Sequence, residues 1–218
     1  MPRTIIDRFL SFARHMFFEE ISPKFRKESL KKFMDFSYVV FEKSVNKFDV
    51  ISYNYLNLYD KLVEKEISMA NISPEDSILV IGCGSLPSTS ALIAMKTDAD
   101  VVSIDNDQKA INDATSFLKN LDIDDKIKLE CADGLYFPVD DFDVIFILYG
   151  VKQQEKILKY LSDNIKDNTR LIFRTTADVG GKIQGGMIDF SNLFAIRDHV
   201  ESRFLGQVNS LLLSKILK

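Results

Sequence analysis

This chain of 218 residues has no tryptophan, and the residues that build metal and disulfide sites are scarce: two cysteines, Cys83 and Cys131, and two histidines, His15 and His199. Two thiols do not make a disulfide framework, and their spacing fits no metal motif. The histidines lie far apart, which argues against a histidine-based metal centre. Both cysteines are therefore expected to be small buried residues at strand ends, with no metal bound. No apolar run reaches the roughly 18–20 residues of a membrane span. The N-terminus scatters Arg3, Asp7, Arg8 and Arg14 among its apolar residues. That leaves no uninterrupted apolar region of a leader and no A-x-A cleavage site. The expectation is a cytoplasmic protein without a membrane partner. A basic surplus is missing too: 28 Lys and Arg stand against 32 Asp and Glu. That balance argues against a broad nucleic-acid footprint.

Glycine is sparse and unevenly placed. None occurs in residues 1–50, which hold nine of the 17 phenylalanines. There Ile5, Ile6, Phe9, Leu10, Ala13, Met16 and Phe17 recur at helical spacing. Ser22-Pro23 breaks that helix. A second is expected over about 25–47, and a third from near Tyr53, carrying Tyr55, Leu58, Tyr59, Leu62 and Val63. Asn71–Asp76 reads as a linker. The expected organisation is a helical cap over 1–72 followed by an α/β domain over 73–218. Four glycines, at 180, 181, 185 and 186, predict a mobile or tightly turned loop after the fifth strand.

From residue 77 onward strands and helices alternate. The apolar strands are nearly continuous, which predicts a mostly parallel sheet covered on both faces. Helices are expected over 107–120 and 151–165. Two final strands, near 199–205 and 208–216, read as a closing antiparallel hairpin. The strand Ile78–Ile81 runs into the turn Gly82-Cys83-Gly84 and then a helix. That is the first turn of a Rossmann-like nucleotide domain. A third glycine of G-x-G-x-x-G would fall at Pro87, and no G-x-x-x-x-G-K-[ST] occurs. Two glycines without phosphate chemistry suit a cofactor that carries adenosine but no phosphate, of which S-adenosylmethionine is the common one. The second strand ends in Asp105, 21 positions after Gly84, where ribose hydroxyls are gripped. The third ends in Ala132-Asp133-Gly134, with Asp133 suited to the adenine amino group. Cys83, Asn106 and Leu148 complete the expected cofactor-binding set of Gly82, Gly84, Asp105, Asp133 and Gly134.

These motifs resemble those of the nicotianamine synthases, within the class I S-adenosylmethionine-dependent methyltransferase fold. The family turn G-x-G-P-L-P-L-T is similar to Gly82-Cys83-Gly84-Ser85-Leu86-Pro87-Ser88-Thr89, with Ser85 and Ser88 departing from it. Asn54-Tyr55-Leu56-Asn57-Leu58 matches an upstream N-Y-L-N-L-like run. Arg174-Thr175 matches the end of strand five, and Asn209-Ser210 the start of the last strand. Tyr149 departs from the small apolar residues preferred after strand four. The resemblance implies transfer of an aminocarboxypropyl group to an amine of a small molecule, with release of methylthioadenosine. It implies that Tyr55 is catalytic and orients the reacting nitrogen beside a glutamate of the helical region, for which Glu28 and Glu42 are candidates. Arg174 is a candidate for holding a substrate carboxylate.

Two other readings stand beside this one. An ordinary small-molecule methyltransferase would leave S-adenosylhomocysteine instead of methylthioadenosine. A non-catalytic cofactor-binding protein would bind without turnover. Ile147-Leu148-Tyr149-Gly150-Val151 lacks the Asp/Asn-Pro-Pro-Tyr/Phe pattern of enzymes that methylate base amines, which again argues against a nucleic-acid substrate.

Overall fold

A computed structural model describes residues 48–175, 190–202 and 208–216. The described elements, in chain order, are α1 (Phe48–Ala70), β1 (Ser77–Ile81), α2 (Ser88–Thr97), β2 (Asp100–Asp105), α3 (Gln108–Asn120), β3 (Ile127–Cys131), β4 (Val144–Ile147), α4 (Gln154–Asn164), β5 (Arg170–Thr175), β6 (Phe194–Ser202) and β7 (Val208–Lys215). The strands form one seven-stranded sheet in the order β3-β2-β1-β4-β5-β7-β6. Strands β1 to β5 pair in parallel, and β7 runs antiparallel to β5.

The apolar pattern explains that order. Every residue of β4 is buried, as are four of the five in β1. Central strands covered on both faces need such runs. β3 buries only Ile127 of its five residues, as suits a strand at the edge of the sheet. One face of the sheet packs Ile78, Val80, Phe146 and Ile172 against Val63 of α1, Ile93 of α2 and Phe117 of α3. The other packs Leu79, Ile81, Ile145 and Phe173 against Ile157, Leu158 and Leu161 of α4. α1 belongs to the same compact unit as the sheet.

Caps and turns fix the helix ends. Asp107 accepts from the N–H of Lys109 at 2.9 Å to start α3. α4 starts later than its apolar spacing suggests, because Gln153 takes a left-handed conformation with φ 56°. Val151 stays outside the helix and packs beside Gly82. β6 begins at Phe194, earlier than expected, because Phe194 is buried against the α4 face. Among the described residues no helix is long and apolar enough to cross a membrane.

The chain passes β1, β2, β3 on one side of the sheet and β4, β5 on the other. The switch lies between β1 and β4, and ligands of such sheets bind beyond the carboxyl ends of the strands there.

Candidate functional site

The turn after β1 takes the geometry its glycines allow. Gly82 has φ +82° and Gly84 φ +66°, a region that costs a side chain energy. The N–H groups of Gly82 and Cys83 both donate to the carbonyl of Ile104, at 2.8 and 3.1 Å, which ties the turn to the end of β2. A Cβ on Gly82 would stand 2.3 Å from Cγ2 of Val151. Among the described residues a Cβ on Gly84 would meet nothing within 4 Å. Gly82 is thus needed for packing, whereas Gly84 leaves a bare backbone face.

Asp105 is held beside that face. Its Oδ2 accepts from the N–H of Gly84 at 2.9 Å and its Oδ1 from the N–H of Asp107 at 3.1 Å. A carboxylate offers about four acceptor positions, so each oxygen keeps one for a ligand. Asn106 follows and is exposed. Asp133 is exposed, with Oδ1 accepting from the N–H of Leu135 at 3.0 Å. Gly134 lies under it, where a Cβ would come within 2.8 Å of Cγ2 of Ile81. Leu148 is half-buried and donates its N–H to the carbonyl of Ile81 at 3.1 Å, across the switch point. The residues expected from sequence to bind the cofactor therefore stand together at the carboxyl ends of β1 to β4.

The cysteines part company. Cys83 is buried, and burial followed by the Asp105 charge pushes its thiol up to about 12. It stays protonated and unreactive at neutral pH. Cys131, expected to be buried, is exposed, because it ends the edge strand β3, which has no outer strand among the described residues. Tyr149 is also exposed, although partial burial raises its phenol above the ordinary value.

Helix α2 starts at Ser88, with Pro87 at the capping position and no side-chain hydrogen bond closing its end. The backbone of residue 55 is helical within α1. The side chain of Tyr55, the candidates Glu28 and Glu42, and the glycines at 180–186 lie outside the described residues.

Arg174, a candidate for holding a substrate carboxylate, holds a carboxylate of the chain itself. Its Nε donates to Oε1 of Glu66 at 2.8 Å and its Nη2 to Oε2 at 2.6 Å. Its Nη1 donates to Oγ1 of Thr89 at 2.9 Å. The Ser210 hydroxyl donates to Oε1 of Glu66. The Tyr59 ring lies 5.9 Å from the guanidinium carbon. Glu66 is 0% exposed and Arg174 4%. Sequence reading missed Glu66. Its one signal is position: it falls on the buried stripe of α1 with Val63 and Ala70, where an apolar residue is the rule.

The family model described as nicotianamine synthase protein matches residues 29–196. An L-histidine 2-aminobutanoyltransferase of Yersinia pestis is 24% identical over 122 residues, covering 56% of this chain and 45% of that protein. The chain thus spans less than half the length of that curated relative. A point mutant of MtNAS in complex with S-adenosylmethionine superposes with a TM-score of 0.73 at 15% identity, over 93% of this chain and 82% of that one. MtNAS in complex with MTA and tNA gives 0.67 at 16% identity, over 77% and 64%. An RNA methyltransferase from Salinibacter ruber in complex with S-adenosyl-L-homocysteine gives 0.56 at 14% identity, over 72% and 90%. At these identities the solved structures establish a shared fold, a class I methyltransferase sheet with an antiparallel C-terminal hairpin.

Proposed function

Because the chain belongs to the nicotianamine synthase family, we propose that it is an S-adenosylmethionine-dependent transferase that moves an aminocarboxypropyl group to the amine of a small molecule. The observation that carries this is the edge formed by Gly84 and Asp105. A bare backbone face stands next to a carboxylate that keeps acceptor positions free. That donor set fits a nucleoside with ribose hydroxyls and no phosphate.

In this reading Asp105 holds the ribose, while Gly82, Cys83, Gly84 and Asn106 shape its approach. Asp133 accepts from the adenine amino group, with Gly134 and Leu148 beside it. The uncapped start of α2 suits the carboxylate of the amino-acid arm, since free N–H groups point out of a helix N-terminus. When bound, S-adenosylmethionine supplies a sulfonium whose adjacent methylene is open to displacement by an amine, with methylthioadenosine leaving. The protein's part is alignment and exclusion of water. An amine is protonated at neutral pH, so a base must take one proton before attack. We assign orientation of that nitrogen to Tyr55, beside a carboxylate from Glu28 or Glu42. A relative named for L-histidine supports an amino-acid acceptor.

Isotope placement tests the reading. With methyl-labelled S-adenosylmethionine and L-histidine or a pool of other amino acids, label should stay in methylthioadenosine. Label in the acceptor would make the protein a methyltransferase.

A further inference from the structure

We propose that Glu66 is a positioning residue, which with Arg174 sets the N-terminal half of α1 in register with the cofactor turn. The proposal rests on the transferase reading for its consequence, not for its geometry.

Glu66 is tied, directly or through Arg174, to three distant parts of the chain. Arg174 stands on β5, and Ser210 on β7. Thr89, at the start of α2, reaches it through Arg174. Arg174 and Ser210 are register partners in the antiparallel pair, as are Thr175 and Asn209. Side chains of directly opposed residues leave a sheet on the same face, so both reach one carboxylate. Three sequence fragments that carry the family resemblance, the threonine of the glycine turn, the end of β5 and the start of β7, are thus joined through one acid of α1.

A second anchor gives the helix its direction. Arg170, four residues before Arg174, donates through Nη1 to the carbonyls of Ala70 and Asn71 at 2.7 and 2.8 Å. It also pairs with Asp76. Going up β5 from Arg170 to Arg174 therefore means going back along α1 from Ala70 to Glu66. The N-terminal half of α1 rises toward the carboxyl ends of the strands, where Gly84 and Asp105 stand. Residue 55 lies three helical turns before Glu66, about 16 Å along the axis. Position 55 falls nearly on the same stripe as Glu66, and Tyr59 lies between them, its ring over Arg174.

Stability alone does not account for this cluster. A buried ion pair contributes little that apolar packing would not, since desolvation offsets its attraction. What it adds is geometry: a planar fork matched to a carboxylate admits one arrangement.

The test uses the full chain and two mild variants, each removing one arm. Thr89→Val separates the guanidinium from α2, and Ser210→Ala removes one donor to Glu66. Both should stay folded, and Ser210→Ala, which lies away from the start of α2, should bind S-adenosylmethionine with unchanged affinity by calorimetry. Amide exchange over residues 48–58 should speed up about tenfold, the effect of a lost charge-assisted hydrogen bond, while sheet protection holds. Methylthioadenosine release from S-adenosylmethionine and L-histidine should fall in kcat, with KM for the cofactor unchanged. Arg174→Lys should show the same two defects, because it keeps the charge and loses the fork. Unchanged exchange over 48–58 in both variants would overturn the proposal. So would a loss of turnover that only follows the unfolded fraction. If the unaltered protein releases no methylthioadenosine, the transferase reading fails, and the exchange experiment still decides the positioning role.

Discussion

The main-chain N–H of Gly84 donates to Oδ2 of Asp105 at 2.9 Å, joining the glycine turn after β1 to the acid that ends β2. The glycine needs its positive φ to aim that N–H, and the acid needs the N–H to present its free lone pairs. Neither residue alone makes a cofactor site, and their contact aligns a bare backbone with a fixed carboxylate.

Replacing the acid should therefore act on binding first. Asp105→Ala should weaken S-adenosylmethionine binding on the order of 10–150-fold, the equivalent of about 1.5–3 kcal/mol for charge-assisted hydrogen bonds. Calorimetry measures it directly. Unchanged affinity would remove Asp105 from the site.

The two glycines of the turn should fail differently. Gly82→Ala strains a positive φ and drives its methyl into Val151. Together these should cost about 2–4 kcal/mol of stability. Gly84→Ala carries only the backbone strain, about 1–2 kcal/mol, but puts a methyl on the face offered to the cofactor. Urea unfolding paired with calorimetry should find Gly82→Ala the less stable and Gly84→Ala impaired in binding beyond its loss of stability. The reverse order would contradict these roles.

Cysteine accessibility gives a chemical check. At pH 8 iodoacetamide should alkylate Cys131 in the folded protein and leave Cys83 intact until denaturant is added. Cys83 is buried, with its thiol held up to about 12. Mass mapping that finds Cys83 modified first would show the turn to be open.

Acid sensitivity should involve Asp143. The Ser77 N–H, donating at 3.1 Å, holds its carboxyl below the ordinary value, with Lys166 at 3.1 Å adding to this. A lowered folded value stabilises the protein above the unfolded value, about 3.9. That contribution is lost as pH falls through the folded value. Asp143→Asn keeps an acceptor and removes the charge. It should cost under about 1 kcal/mol at pH 7, since the pair is partly exposed, and flatten the loss of stability below about pH 4. Parallel acid titrations of the two proteins check this.

Much of the fold was legible because burial on two faces leaves a plain trace. Ile78–Ile81 and the stretch 142–148 read as strands of a covered sheet from their nearly continuous apolar character. Ala110, Ile111, Ala114, Phe117 and Leu118 read as one helix face and are buried as a group. The cluster proposed to hold the cofactor was legible as a group because glycines and acids follow strand ends in chain order. Glu66 was not, since its partner Arg174 lies 108 residues away. Nothing local marks an acid on a buried stripe as paired instead of misplaced. Cys131 was misjudged because a strand's place at the sheet edge depends on strand order, which its own five residues do not encode. The start of β6 was missed because the burial of Phe194 comes from packing on the α4 face.

Mass spectrometry of the products formed from S-adenosylmethionine and a mixed pool of amino acids tests the proposed transfer most directly. Methylthioadenosine should appear together with an amino acid heavier by one aminocarboxypropyl group. S-adenosylhomocysteine with a methylated amino acid would contradict it, as would a cofactor that binds and never turns over.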